Sequence, residues 1–186
     1  MRNFLPLFAE IHRGVECGAL SQAQAAQHVS QRICRIFHCA RASIWTTQAS
    51  HATRLGGYDA LQCHPLAELA ELVGAKLGKR LIALTRPGIF VSKDAMADDR
   101  LACVRDKYLA IQSIGSVLAA PLRFNGIVSG VVCLETVGAL REWQTSEIAK
   151  LKSFANSLSL RTARAAVSNR ELRGLSRAGF GGGRLV

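Results

Sequence analysis

The chain has 186 residues, of which 49% are hydrophobic and 20% charged, and its formal net charge is +11. This length and apolar content suit one folded domain with a buried core, and they exclude a chain that is disordered throughout. The early apolar stretch, residues 4–11, is interrupted by Pro6 and Glu10 and is shorter than a membrane span or a typical export signal. We therefore expect a cytoplasmic protein with no membrane partner.

The first predicted elements are a helix and two strands. Residues 21–37 carry apolar side chains at helical spacing, with Ser21 available as an N-cap and no internal Gly or Pro. The stretch ARASIWTTQ then shows the β-branched and aromatic content of a strand centred on Ile44 and Trp45. A second strand over residues 53–58 would pair with it as a hairpin.

The middle of the chain predicts a helix, an irregular strand and another helix. Leucines at helical spacing indicate a helix over residues 65–77, which the Gly78-Lys79-Arg80 stretch should end. Residues 81–91 contain Pro-Gly and predict a short irregular strand. Asp98 or Asp99 can then cap a helix that runs to residue 110.

A β-hairpin is the sharpest local feature of the sequence. Two apolar runs, residues 116–124 and 127–135, flank Asn125-Gly126, which suits a type I′ turn because both positions tolerate positive φ. In the second run, strand alternation puts Val131 and Cys133 on one face and Val132 and Leu134 on the other. Both faces are apolar, so we predict a central strand covered on both sides.

The last predicted element is a long helix that begins near Thr145. Apolar or small residues recur along it in steps of three and four, as in a heptad seam. An ordinary helix lying on a sheet explains its first half, whereas pairing with a second helix explains its second half better. The Gly-rich end after it is expected to be disordered.

The surplus of positive charge is spread along the chain. Five arginines near the end of the chain are spaced like the solvated face of a helix, and no aromatic residues interleave with them for base stacking. They are Arg161, Arg164, Arg170, Arg173 and Arg177. We therefore do not expect nucleic acid as a partner.

Six cysteines are scattered without a CxxC pair, and we expect reduced thiols. The adjacent pairs His38-Cys39 and Cys63-His64 lack the gap that lets a chain wrap a tetrahedral ion. We therefore predict no metal and no cofactor.

The order of these elements gives the α+β class, with an antiparallel sheet covered by helices. At this point the sequence resembles the GAF family of small-molecule sensor domains, in particular bacterial members attached to histidine kinases or diguanylate cyclases. The resemblance rests on ARASIW, DAMADDR, SIGSVLAAPL, NGIVSGVVCLETVG and REW, which occur in the family's order and with similar spacing. It covers residues 19–166, with 1–18 as an N-terminal extension and 167–186 as the helix end and flexible tail.

The resemblance implies a PAS-related sheet of five to six strands with helices on both faces and with the terminal helices packed together. It also implies a cupped face, closed by residues 94–114, in which ligands bind in some members. Cyclic-nucleotide-binding members carry an Asn-Lys-Phe-Asp-Glu pattern that VSKDAMADDR lacks, and bilin-binding members have a cysteine next to a histidine. Here Cys103 is followed by Val104, so neither ligand is expected.

Seven residues form the predicted pocket. Trp45 and Tyr108 would stack on a planar ligand, since pockets combine an apolar wall with a few polar groups. The remaining members are Asp94, Asp99, Arg100, Ser116 and Cys133. In the alternative interpretation, the aromatic residues and Cys133 belong to the core, and the aspartates are helix caps.

A second group of residues forms a predicted joint between the core strand and the last helix. Glu135 would pair with Arg141 across the Gly138 turn, and Trp143 would pack under the start of the helix. A ligand that displaces the sheet would first displace this joint, where the last helix is anchored.

Three functions are compatible with the sequence. The first is a non-catalytic signal-sensing domain that binds a small molecule and regulates an output protein, as a homodimer through its terminal helices. The residues predicted at that dimer seam are Ile148, Leu151, Leu158 and Leu172. The second is a scaffold used for dimerisation alone, and the third is a thiol-dependent reductase of free methionine sulfoxide that uses Cys103. No nucleophile and base come together in the sequence, so we predict no catalysis.

Overall fold

The computed structural model describes residues 5–48, 51–67 and 71–159. The helices are α1 (Leu5–Glu16), α2 (Gln22–Phe37), α3 (Glu71–Thr85) and α4 (145–159). The strands are β1 (Arg41–Gln48), β2 (His51–Asp59), β3 (His64–Pro65), β4 (Phe90–Ser92), β5 (Ile114–Phe124) and β6 (Ile127–Val137). Among the described residues no helix is both long and apolar enough to span a bilayer.

The six strands form one antiparallel sheet in the order β3-β2-β1-β6-β5-β4. Its central pair joins the first strand of the chain to the last, with Arg41 opposite Glu135 and Thr46 opposite Gly130. Helices cover both faces of this sheet. The predicted α+β class, with five to six strands, is confirmed.

The β5–β6 hairpin turns at Asn125 and Gly126, as predicted. Their φ values are 48° and 78°. A type I′ turn needs positive φ at both central positions, which Asn and Gly adopt at little cost. The turn sets the first pairs of the hairpin, and a β-bulge between Arg123 and Leu122 then shifts the register by one residue, which places Leu134 opposite Leu118 and Cys133 opposite Ala119.

The two faces of β6 enter two different apolar clusters, which confirms that this strand is central. Val132 and Leu134 pack with α2 and α4. Val131 and Cys133 pack on the other face, beneath α3 and the segment that follows β4. Alternation along a strand sends neighbouring side chains to opposite faces, so a strand buried on both faces reads as a continuous apolar run.

Helix α2 begins where the sequence predicts. The Ser21 hydroxyl accepts the amide of Gln24, and the Gln24 side chain accepts the amide of Ser21 in return, a reciprocal capping box. Its buried face, which includes Val29, Ile33 and Phe37, packs in the same cluster as Leu151 and Phe154 of α4. Helices α2 and α4 therefore share one core, and α1 packs against α2.

Helix α3 differs from the prediction. It runs from Glu71 to Thr85, whereas Pro65 lies in β3, so both ends of the predicted 65–77 helix are wrong. Gly78 does not end the helix, because it lies where α3 meets the sheet. A Cβ there would be 2.7 Å from the Ala52 Cβ and 2.9 Å from the Trp45 ring. The predicted 81–91 strand is therefore wrong over most of its length, because residues 81–85 belong to α3 and only residues 90 and 91 lie in β4.

The segment after β4 is also less regular than predicted. Asp98 does cap a helix, since its Oδ1 accepts the amide of Arg100 at 3.0 Å. The helix is a 3-10 helix over Asp99–Val104, followed by one π-helical turn over Arg105–Leu109. The change of helical pitch is frequent at functional sites.

Helix α4 starts near Thr145 as predicted. The Glu147 carboxylate accepts the amide of Gln144 at 2.9 Å, which satisfies a free donor at the helix start. The second half of the predicted long helix, with Leu172, and the Gly-rich end lie outside the described residues.

Candidate functional site

Three charged or polar side chains are brought together where β1 starts and β2 ends. Arg41 Nε donates to Asp59 Oδ2 at 2.7 Å, and Arg41 Nη1 donates to Gln112 Oε1 at 2.8 Å. Arg41 is 8% exposed and Asp59 3% exposed. A carboxylate that accepts from a buried guanidinium compensates part of the cost of removing both charges from water.

Glu135 lies opposite Arg41 in the β1–β6 register and is buried at 2% exposure. The Tyr108 hydroxyl donates to this carboxylate, with distances of 3.0 and 2.9 Å to its two oxygens. Cys133 Sγ lies 3.9 Å from Glu135 Oε1. The π-helical turn positions Tyr108 above the last residues of β6, which links the irregular segment to the sheet.

The pKa values of this cluster are shifted by its burial. Burial raises the pKa of Glu135, while the Tyr108 hydroxyl and the Arg41 charge oppose that rise. Burial and then the Glu135 charge raise the pKa values of Tyr108 and Cys133 well above their ordinary ranges. Cys133 is therefore a protonated thiol, and it lacks the thiolate that nucleophilic chemistry needs.

A cleft of about 240 Å³ opens beside this cluster. Arg41, Asp59, Tyr108 and Gln112 form one wall. The other lining residues come from β2 and from the segment through β3, and they are Arg54, Gln62, His64, Pro65, Leu66 and Ala67. The volume lies below the roughly 300–1,000 Å³ of sites for drug-sized molecules. The cleft therefore fits a small, polar ligand.

Of the seven predicted pocket residues, Tyr108 lines this cleft. Trp45 and Cys133 are buried in the apolar cluster under α3, and the Trp45 indole donates to Ser43 Oγ at 2.9 Å. Ser116 is buried and contacts Thr136 Oγ1 through both its amide and its hydroxyl, each at 2.9 Å. These three residues have protein partners.

The other three predicted pocket residues organise the segment after β4. Asp94 Oδ1 accepts the amides of Met96 and Ala97 in a turn. Asp99 pairs with Arg105 at 3.2 Å. Arg100 pairs with Asp98 at 2.8 Å and stacks on the Phe90 ring at 4.6 Å. Local capping and stacking thus account for their spacing.

Sequence reasoning missed Arg41, Asp59 and Gln112. Arg41 and Asp59 are paired residues of the β1–β2 hairpin, so a cross-strand ion pair was available as a signal once its register was fixed. Gln112 lies 71 residues from Arg41 in the chain, and no local pattern connects them.

The residues of the predicted joint have partners that differ from the predicted ones. The predicted Glu135–Arg141 pair is wrong, because Glu135 points to Tyr108 while Arg141 Nη2 contacts Glu147 Oε1 at 2.5 Å. The Arg141 guanidinium also donates to the carbonyls of Phe37 and His38, each at 2.8 Å, and stacks on Trp143 at 4.3 Å.

Trp143 packs under the start of α4 as predicted, at 5% exposure. Arg141 therefore fastens the end of α2 to the first turn of α4.

The cysteines and histidines of the described region do not assemble a metal site. Within it, no three His, Cys, Asp or Glu side chains converge as metal ligands. All six cysteines are free thiols, and Cys103 is exposed.

Comparison with known proteins identifies the family. The sequence model of the GAF domain family matches residues 22–161, which is most of the chain. The chain therefore belongs to the GAF domain family. A comparison with curated protein sequences gives no match.

Solved structures share this fold at low sequence identity. The photoproduct state of GAF3 from Slr1393 of Synechocystis sp. PCC6803 is 19% identical, with a TM-score of 0.62 over 76% of this chain and 92% of that one. The blue-light absorbing form of the Thermosynechococcus elongatus PixJ GAF domain is 15% identical, with a TM-score of 0.64 over 82% and 90%. The phycocyanobilin-bound GAF domain of a cyanobacterial phytochrome is 11% identical, with a TM-score of 0.63 over 90% and 98%.

Proposed function

We propose that this GAF domain is a non-catalytic sensor that binds a small polar molecule in the cleft beside Arg41 and regulates an output protein. The observation that carries the proposal is a set of convergent polar groups that lines an open cleft, namely the buried Arg41, Asp59 and Tyr108 and the half-buried Gln112. Buried charges are expensive, and convergent polar groups in a cleft are typical of binding sites.

A continuous set of contacts supports the regulatory part of the proposal. Arg41 lies three residues after His38, whose carbonyl accepts from Arg141. Arg141 in turn contacts Glu147 in the first turn of α4. A ligand that moves the start of β1 would act on His38 and therefore on the anchor of α4. Two positions of this anchor would supply the two states that a switch requires.

The cleft and the interior argue for a ligand smaller than a bilin. Two of the structural neighbours are described as holding biliverdin and phycocyanobilin. In this chain the face under α3 is occupied by its own side chains, among them Trp45, Leu81 and Phe90, which are each at most 2% exposed. The free volume of about 240 Å³ suits a compact molecule with polar groups that match guanidinium and amide donors.

Native mass spectrometry of the protein purified from its source tests the proposal, with a thermal-shift screen of small polar compounds beside it. We expect a bound compound whose thermal shift is lost in Gln62→Trp, since Gln62 lines the cleft and tryptophan would fill it. Gln22→Trp, at an exposed position of α2, is the control and should keep the shift. A compound that binds Gln62→Trp as it binds the parent would refute this site.

A scaffold used for dimerisation is the second candidate, and the filled apolar face favours it. Leu81, Ile82 and Phe90 are all buried there, as expected if side chains of the domain itself fill the space under α3. A dimer by light scattering, combined with no compound in native spectra and none in the screen, would support the scaffold over the sensor.

The reductase is the least supported candidate. Cys133 is buried with a raised pKa, and Cys103 would need a second, resolving thiol within reach. Turnover of free methionine sulfoxide at enzymatic rates would overturn the proposal of a non-catalytic domain.

A further inference from the structure

Arg41 presents part of its guanidinium group to the cleft. Its Nε donates to Asp59 and its Nη1 to Gln112, whereas Nη2 has no hydrogen-bond partner among the described residues. In this part of the chain the buried polar side-chain atoms that lack a partner are Arg105 Nε and Trp143 Nε1, so Arg41 Nη2 is not one of them. Nη2 is therefore open to the cleft that Arg41 lines, and its N–H groups remain to donate.

Gln112 adds a second open donor. Its side-chain oxygen accepts from Arg41 Nη1, and this bond fixes the orientation of the amide. The Nε2 group of the same amide has no partner within the described ranges, and Gln112 is half-buried in the lining of the cleft. Because one hydrogen bond joins the two side chains, Arg41 Nη2 and Gln112 Nε2 lie near one another, where both can donate to one small ligand.

The carboxylate in the lining, Asp59, is already satisfied by the protein. Its Oδ2 accepts from Arg41 Nε, and its Oδ1 accepts the amides of Leu61 and Gln62 at 2.9 and 3.1 Å. The other buried carboxyl group of the cluster, Glu135, does not line the cleft. Asp59 therefore holds Arg41 and the loop after β2 in place, and a ligand cation would have to displace these donors.

A second guanidinium group, that of Arg54, also lines the cleft. Arg54 Nη2 donates to the Leu66 carbonyl at 3.3 Å and to the Ala67 carbonyl, and these bonds hold the segment after β3 beside the cleft. The Arg54 charge acts on the buried cluster too, since it opposes the rise in the pKa of Glu135 that burial causes. Positive charge therefore reaches the cleft from β1 and from β2, and a cleft lined by such groups attracts anions.

We propose that the cleft binds the carboxylate group of a small organic acid, with Arg41 Nη2 and Gln112 Nε2 as its donors. This inference rests on the proposed sensor function, because it names the chemical class of the ligand at the same site. A planar guanidinium group suits the two oxygens of a carboxylate, and hydrogen bonds to an ionised oxygen are stronger than those to a neutral one. The volume of about 240 Å³ leaves room for a short carbon skeleton behind the carboxylate.

A thermal-shift screen of paired compounds tests the ligand class. Lactate, succinate and benzoate are each compared with the corresponding amide, namely lactamide, succinamide and benzamide, at constant ionic strength, and inorganic phosphate is a separate arm. We expect at least one carboxylate to raise the melting temperature of the parent protein and to lose this effect in Gln62→Trp. Calorimetry should then show the matching amide binding at least about tenfold more weakly, because it lacks the ionised oxygens.

Two variants test the donors themselves. Arg41→Lys keeps a positive charge beside Asp59 but lacks the guanidinium fork, and Gln112→Glu keeps an acceptor for Arg41 Nη1 but replaces Nε2 by an anionic oxygen. Each should weaken carboxylate binding at least about tenfold. Gln22→Glu makes the same charge change at an exposed position, at the end of α2 remote from β1, and should bind as the parent does. Thermal melts check folding, and Gln112→Glu decides the matter if Arg41→Lys does not fold.

Other results would overturn the inference and leave the sensor standing. One is an amide that binds as tightly as its carboxylate and is lost in Gln62→Trp. Another is binding of phosphate in the cleft with no carboxylate bound. Carboxylate binding that is unchanged in Gln112→Glu, or weakened equally in Gln22→Glu, would also overturn it, since the latter means attraction by net charge alone. If no compound binds, charged or neutral, and native spectra show none, the proposed sensor function fails together with the inference.

Discussion

Glu135 is the most deeply buried carboxyl group among the polar residues of the site, and its stability contribution depends on pH. Its pKa is raised in the folded protein, first by burial. Above the carboxyl's usual pKa of about 4.3, the unfolded chain releases this proton while the folded protein retains it. The free energy of unfolding therefore falls as pH rises through the window from the unfolded pKa to the raised one.

Glu135→Gln should remove this dependence. We expect the stability of the variant relative to the parent to rise with pH inside that window, by up to about 1.4 kcal/mol per pH unit, and to stay level on either side. Urea unfolding of both proteins at a series of pH values measures it. Glu142→Gln, at an exposed position, is the control and should track the parent. A constant difference between Glu135→Gln and parent at all pH values would contradict the raised pKa.

Arg141 connects the end of α2 to the start of α4. Its guanidinium reaches two carbonyls at the end of α2 and the Glu147 carboxylate at the start of α4. Arg141→Gln should lower the free energy of unfolding by about 1–3 kcal/mol, because the partners lose charge-assisted bonds. It should also speed hydrogen exchange of the α4 amides at 149–152.

Arg35→Gln is the matched change, at an exposed position in the last turn of α2. We expect it to stay within about 0.5 kcal/mol of the parent. Equal exchange rates in α4 for Arg141→Gln and parent would show that Arg141 does not anchor the helix.

Gly78 is a helix residue at which packing against the sheet requires glycine. In a solvent-exposed helix, Gly→Ala stabilises by about 1 kcal/mol. Here the added Cβ meets Ala52 at 2.7 Å and Trp45 at 2.9 Å, so Gly78→Ala should destabilise by about 1–3 kcal/mol in thermal or urea unfolding. Ala83→Gly, at an exposed position of the same helix, should cost about 1 kcal/mol by propensity alone. A stabilised Gly78→Ala protein would refute the close approach of α3.

The elements that were predictable from sequence are those with a local cause. Ser21 and Gln24 cap α2, and Asn125-Gly126 sets the β5–β6 turn, because each signal acts within four residues. Helix α3 was misplaced because Gly78 breaks a helix by propensity but is required here by a contact with β1 and β2. Tertiary packing overrides a weak local preference.

Most of the candidate site could not be predicted from the sequence, because contacts between distant parts of the chain define it. The contacts of Arg41 with Asp59 and Gln112, and of Tyr108 with Glu135, join residues 18, 71 and 27 positions apart. Tyr108 was found because an aromatic residue with a polar tip is a pocket candidate in any fold. The polar partners became visible only once the strand register was known.

At the scale of the whole molecule, residues that stabilise the core of the domain have to be distinguished from residues that could form the proposed dimer seam. Leu151 is completely buried in the core of the domain itself, and Ile148 and Leu158 pack partly against that core. Leu151 therefore does not serve the predicted dimer seam, and that part of the prediction is corrected.

The dimer itself remains a proposal, and Leu172 tests it. Leu151→Ala should cost about 2–5 kcal/mol in unfolding whatever the oligomeric state, because it leaves a cavity. Leu172→Glu should give a monomer by light scattering with the stability of the domain unchanged. An unchanged dimer mass in Leu172→Glu would contradict a seam at that position.

The pairing of β1 with β6 also dictates how the chain can fold. The residues that face each other, such as Ala42 and Leu134, are separated by most of the domain, so this pair closes a long loop of chain. The β5–β6 hairpin needs only a two-residue turn and can form first. During synthesis β1 must therefore wait for its central neighbour until the last strand has been made. In that interval the unpaired backbone N–H and C=O groups along its edge can pair with other chains and need protection from them.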